Sequence, residues 1–192
     1  MTTVLLDGRR LPPQDWEGDD YTPGAGGAYV TCTDTATGRM ISFATNGRRE
    51  IDGRRIRAAV RPPDPNGITL PQAKQATKSL TGLDLVIPGD WHWAEVLNHL
   101  RARRGLVVQG WYSMIPRQYR FQLGADFGHA MWLSHFSPTA GNMFRNWDPL
   151  DPNLAHHGSW IPASAIRASM EELSRRNGTT HLYCAYIPLQ PL

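Results

Sequence analysis

Five stretches of the chain repeat their apolar residues at helical spacing. "CTDTATGRMISFATNG" sets Cys32, Ala36, Met40, Phe43 and Ala44 in helical register, with Asn46-Gly47 as a stop. Gly38 inside it costs a helix roughly 1 kcal/mol relative to alanine. "DGRRIRAAV" predicts a short helix cut off by Pro62-Pro63. "NGITLPQAKQATKSLTG" has Thr69 as N-cap, Pro71 in the first turn and Gly82 at the C-terminal cap. "DWHWAEVLNHLRARRG" aligns Trp93, Val96, Leu97 and Leu100 on one face and ends at Gly105. "PASAIRASMEELSRRNG" starts at Pro162 and has Gly178 past its end. Between and after the last two helices the pattern is different. "GLVVQGWYSM", "FGHAMWLSHF", "NMFRNWDPL" and "HLYCAYIPL" are β-type runs rich in aromatic and branched residues. TVLL at residues 3–6 predicts a short strand, and residues 12–28, with their prolines, glycines and acids, an irregular loop. Helices first and strands later predict an α+β fold, an antiparallel sheet with helices packed against one side. The expected organisation is one domain over residues 1–192: a lead-in over 1–28, a helical part over 29–104 and a sheet part over 105–192.

A chain of 192 residues can bury a core without disulfide or metal staples. Its 41% hydrophobic and 19% charged residues match ordinary soluble domains. No apolar run approaches the roughly 18 residues of a membrane span. The opening "MTTVLLDGRRLPPQDW" lacks the pattern of a signal peptide, so the expected location is cytoplasmic, with exit by assembly into a particle or by lysis. The net charge of +3 comes with small arginine clusters, Arg48-Arg49, Arg54-Arg55 and Arg103-Arg104 among them. These are too sparse for a nucleic-acid footprint, and no nucleic-acid partner is expected. Neither the two cysteines nor the histidine spacing predicts a disulfide scaffold, a metal site or a cofactor. His156-His157 reads as solvated loop, because adjacent histidines diverge on most backbones.

The two thiols are not equivalent. A cysteine is a nucleophile as thiolate, which a helix N-terminus or a neighbouring histidine favours. Cys32 opens a predicted helix, where unpaired N–H groups and the macrodipole favour an anion. Cys184, in a strand between Tyr183 and Ala185, reads as a small buried hydrophobe. A nucleophilic thiol needs a base, and the base an orienting partner. His129 and Asp148 lie on consecutive predicted strands of a hairpin that brings them side by side. Strand alternation places His135 on the face of His129, and Asp126 reads as a turn residue. The tryptophans are core by pattern, except that Trp147 and Trp160, flanking the Asp148 turn, suit the walls of a substrate groove.

In order, Cys32, Gly128-His129-Ala130 and Asp148-Pro149-Leu150 resemble the papain-like cysteine peptidases of the C39-like group, in particular single-domain forms of actinobacteria and their phages. The matching pieces are "CTDTATGRMISFATNG", "NGITLPQAKQA", "RRGLVVQGWYSMIP", "FGHAM", "WDPLDP" and "SWIPASAIRASMEEL", spanning roughly residues 30–175. The resemblance implies a papain-like fold, with Cys32 as nucleophile, His129 as general base and then acid, and Asp148 as orienter. It implies hydrolysis of an amide through an acyl-thioester, in a peptide or a peptidoglycan cross-link. One departure matters. The family usually carries a glutamine a few residues before the cysteine as oxyanion donor, whereas "GAGGAYVTC" has none and the nearest upstream is Gln14. The Cys32 backbone N–H and the Thr31 side chain are the substitute donors, and losing one donor costs roughly 2.7–4 kcal/mol. The departure keeps a second reading open: a weak or inactive papain-like virion component, partnered with other phage structural proteins or the cell surface. A third is acyl transfer or deamidation by the same residues.

Overall fold

The computed structural model describes residues 31–60, 67–150 and 158–191. The strand expected over 3–6, the loop over 12–28 with Gln14, the Pro62-Pro63 stop and His156-His157 lie outside the described residues.

β1 (Leu106–Trp111) pairs antiparallel with β2 (Gly128–Ser137), which sets Gly110 opposite His129. β2 pairs in turn with β3 (Met143–Trp147), Trp132 opposite Trp147, and β3 with the edge strand β4 (Ser159–Pro162). β5 (Cys184–Ala185) closes the other side, giving the order β4-β3-β2-β1-β5 among the described residues. Alternation divides the sheet's side chains. Val107, Ala130, Trp132 and Trp147 enter one core, and Leu106, Val108, Met131, Leu133 and Phe144 enter another. Both rows are apolar, so both faces must be covered.

Among the described residues five α-helices build the layers that cover them. α1 (Cys32–Ala44) packs on the first face through Met40 and Phe43, and α2 (Gly53–Val60) and α3 (Leu70–Thr81) pack behind it on α1, adding Ile56, Leu70 and Ala73 to the same core. α4 (Trp93–Arg101) and α5 (Ala163–Arg176) pack on the second through Val96, Leu100, Ile166 and Met170. The expectation of helices on one side alone is therefore corrected: a run such as "LVV" feeds two cores, not one core and solvent.

Local chemistry explains most boundaries. At α3 the Gln72 N–H donates to Thr69 Oγ1 at 3.4 Å and the Thr69 N–H to Gln72 Oε1 at 2.8 Å, a reciprocal cap. Gly82 ends α3 in the left-handed region at φ +73°. α4 stops at Arg101, short of Gly105, because Arg103 already turns left-handed at φ +55°. β1 stops at Trp111, where Tyr112–Met114 tightens into a 3-10 turn. Of "HLYCAYIPL" only Cys184–Ala185 is strand, with Tyr186 bridged to Val86. β4 was not expected: "SWIP" is four residues ending on proline, a length and residue suited to an edge.

Helix α1 is enclosed almost all round, since every residue from Thr33 to Ala44 is buried. Within it the Thr37 hydroxyl donates to the Thr33 carbonyl at 2.7 Å. The sheet below leaves equally little slack. A Cβ at Gly110 would stand 2.2 Å from Ser169 Oγ and 3.0 Å from the Ser169 carbonyl carbon, with that hydroxyl donating to the Trp111 carbonyl at 2.9 Å. Gly110 thus lets α5 press on β1 beside His129. Gly110→Ala is expected to destabilise by about 1–3 kcal/mol, a fall in melting temperature of roughly 2–12 °C for a chain of this size. A thermal melt checks it.

Candidate active site

Cys32 is the first residue of α1 and half-buried. The first-turn N–H groups have no acceptor within the helix, and Thr31 in the N-cap position makes no side-chain cap to them. Thr31 is buried, and its hydroxyl oxygen has no hydrogen-bond partner. Gln109 of β1 reaches the same helix end, its amide donating to Thr33 Oγ1 at 3.2 Å.

His129, the second residue of β2, is 2% exposed. Its Nε2 lies 2.7 Å from Asp148 Oδ1. Asp148 directly follows β3 and is also buried. Oδ1 accepts in addition the Leu150 N–H at 2.9 Å, so the Asp-Pro-Leu turn and the histidine share one carboxylate oxygen. Oδ2 accepts the Tyr112 hydroxyl at 3.1 Å. That hydroxyl in turn accepts the Phe121 N–H at 3.0 Å. The Tyr112 ring stands edge-on to the His129 ring, centroids 4.8 Å apart. A buried carboxylate is stable only when its lone pairs are met, and these three donors meet them.

The sequence pattern places Tyr112 only within a strand. The signal that could have found it is general: a buried tyrosine hydroxyl needs a partner. Burial, and then the charge of Asp148, raise its pKa, so it stays an O–H donor.

Burial pulls the His129 imidazole toward its neutral form, but the charge and hydrogen bond of Asp148 outweigh it. Cys32 adds to the same upward push through its own hydrogen-bonding reach and charge, and the pKa stands at about 10. The remaining ring nitrogen, Nδ1, is buried and lacks a well-formed hydrogen bond. The ring is thus held through Nε2 by Asp148, and the contact between thiol and imidazole is loose, as such contacts often are before substrate binds. The structure brings Cys32, His129 and Asp148 together.

Other expected residues divide. Asp126 accepts the Trp111 indole N–H and the Ser113 hydroxyl, each at 2.6 Å, and ties the turn before β2. A bulge between Leu133 and His135 flips the alternation, so His135 lies against Phe43 of α1, on the face opposite the one expected. Trp147 is no groove wall: it is 1% exposed, packed on Trp132, its indole donating to Ser134 Oγ at 3.2 Å. Trp160 on the edge strand is 41% exposed. Cys184 is fully buried, which pushes its thiol up to about 12.

A thiol at the head of a central helix, a histidine early in one strand and an aspartate at the end of the next, on an antiparallel sheet flanked by helices, constitute a papain-like α+β fold. One solved structure supports the fold. A protein from Bacillus anthracis assigned as a C39-like peptidase superposes with a TM-score of 0.55 at 12% identity, over 84% of this chain and 90% of that one. UfSP from C. elegans superposes with a TM-score of 0.48 at 18% identity, over 85% of this chain and 30% of that one. No protein-family model matches the chain, and no curated protein matches it in sequence.

The geometry has a consequence for stability. With a folded pKa of about 10 above an ordinary 6.5, His129 contributes stability that is complete below about pH 6.5 and is lost as pH rises through about 10. In Asp148→Asn the charge that most strongly opposes burial is gone, so the imidazole pKa falls from its native position. The native protein should therefore lose stability across that window more steeply than the variant, as measured by chemical unfolding at a series of pH values and by imidazole NMR.

Proposed function

We propose that the chain is a cysteine peptidase or amidase of C39-like type. The observation that carries this reading is the His129–Asp148 contact of 2.7 Å, with the other imidazole nitrogen left for the thiol at the head of α1. In this reading His129 is the proton carrier, Asp148 holds its ring and Tyr112 holds Asp148.

The Cys32 sulfur attacks the amide carbonyl carbon and forms a C–S bond. The Cys32 backbone N–H, first in its helix, and the Thr31 hydroxyl are the donors proposed for the oxyanion in place of the missing glutamine. The imidazolium gives its Nδ1 proton to the leaving nitrogen, the C–N bond breaks and an acyl-thioester remains. Neutral His129 then takes a proton from water. The hydroxide adds to the thioester carbonyl, the C–S bond breaks, and the carboxylic acid leaves with the thiolate–imidazolium pair restored. The proposed substrate is a peptide or the peptide part of a peptidoglycan cross-link.

A second reading rests on one observation, the lack of a glutamine in "GAGGAYVTC". It makes the chain a papain-like virion or cell-surface-binding component in which hydrolysis is weak or lost. Activity decides between them. Cys32→Ala and His129→Ala should abolish hydrolysis of peptide and muropeptide substrates with the fold intact by circular dichroism. Asp148→Asn should lower it by roughly 10²-fold or more, and Cys184→Ser should leave it nearly unchanged. Hydrolysis that survives Cys32→Ala would overturn the peptidase reading.

A further inference from the structure

A cavity of about 340 Å³ opens where α4 and α5 meet the turn between β2 and β3. Trp93 and Leu97 of α4 and Phe136 of β2 give it apolar walls. Arg101, in the last turn of α4, and Arg167 of α5 give it two guanidinium groups, and none of its described walls is acidic. Both cations are accessible: Arg101 is exposed, and the Arg167 side chain is 52% exposed. Neighbouring rings hold them in place. The Arg101 guanidinium stands 5.2 Å from the centre of the Phe136 ring, and that of Arg167 stands 5.9 Å from the centre of the Trp93 ring.

The two charges differ in what already meets them. Arg167 gives its Nε–H to Glu171 at 2.7 Å, which leaves the outer nitrogens of its fork. The Arg101 side chain makes no ion pair among the described residues, and stacking on a ring leaves its edge donors for a partner. A guanidinium fork matches a carboxylate through two parallel hydrogen bonds. Set among apolar walls, it matches a carboxylate with an apolar group beside it. The free C-terminus of a peptide ending in an apolar residue carries both on one carbon atom. A cavity near the small end of the usual ligand range, roughly 300–1,000 Å³, takes the end of a chain rather than a folded surface. Ser164, in the first turn of α5, brings the positive end of that helix to the same wall.

We propose that this cavity is a docking site for the C-terminus of a peptide ending in an apolar residue. Arg101, helped by Arg167, holds the carboxylate, and the last side chain lies against Trp93, Leu97 and Phe136. The site is separate from the thiol. His129 lies at the start of β2 and Phe136 near its end, so at about 3.3 Å per residue the two stand roughly 20 Å apart along the strand. A chain end seated here does not touch Cys32, and the inference holds whether or not the protein cleaves peptides.

The test titrates the full chain with N-acetyl-alanyl-leucine, its C-terminal amide, N-acetyl-alanyl-glycine and inorganic phosphate, while NMR follows the Trp93 indole and the backbone amides of residues 141–143. The leucine acid should bind saturably and about tenfold or more tightly than its amide, which lacks the charge-assisted pair. That preference should shrink as salt rises. The glycine acid should bind about tenfold more weakly than the leucine acid, for want of the apolar side chain. Arg101→Gln, at an exposed position, should remove most of the preference for acid over amide and leave amide binding unchanged. Arg167→Gln should reduce the preference less. Cys32→Ala should bind the leucine acid with native affinity. No saturable shift, equal binding of acid and amide, a preference intact in Arg101→Gln, or tighter binding of phosphate than of the leucine acid would overturn the docking site. Equal binding of the leucine and glycine acids would overturn the apolar half of the recognition, and a changed affinity in Cys32→Ala would overturn its separation from the thiol.

Discussion

The contact between His129 and Asp148 is the constraint around which this structure is organised. Both groups are buried, so leaving either without its partner costs stability. The carboxylate answers with three contacts, the imidazole, the Leu150 N–H and the Tyr112 hydroxyl, and that hydroxyl in turn accepts the Phe121 N–H. Each tethers a different segment. The imidazole belongs to β2, the Leu150 N–H to the turn after β3, and the tyrosine to the turn after β1. One strand and two connections of the sheet thus meet on one side chain.

The rest of the fold sets the register of that meeting. β2 lies between β1 and β3, so a histidine near its start and an aspartate just past the end of β3 arrive at the same end of the sheet. α1 lies on the face of Trp132 and Trp147 and brings its N-terminus, with Cys32, to that same end. Gly110 allows α5 to close on the opposite face next to His129. Helices on both faces keep water from the pair, and burial in turn strengthens the attraction that holds the imidazole protonated.

Much of this was legible in the sequence because the signals are local. The cap residues of α3, the helical spacing of α1 and the β-type runs each reflect chemistry within a few positions, and the structure places those elements where expected. The pairing of His129 with Asp148 was legible from their places on neighbouring strands. Long-range features were not. Nothing near Ser134 announces the bulge that turns His135 to the other face, and Trp147 and Trp160 look alike in sequence although one is core and the other edge. Tyr112 escaped because its partner is 36 residues away. The two-faced burial of the sheet depends on how many helices return to it, which short windows do not reveal.

The most direct measurement is differential alkylation of the two cysteines with iodoacetamide at neutral pH, read by mass spectrometry on the folded native protein and on His129→Ala. The account predicts that Cys32 is modified rapidly in the native protein, that Cys184 is protected until unfolding, and that His129→Ala slows Cys32 by about tenfold or more. If Cys32 reacted at the same rate with and without His129, thiol and imidazole would not be working as a pair, and the account would be contradicted at its centre.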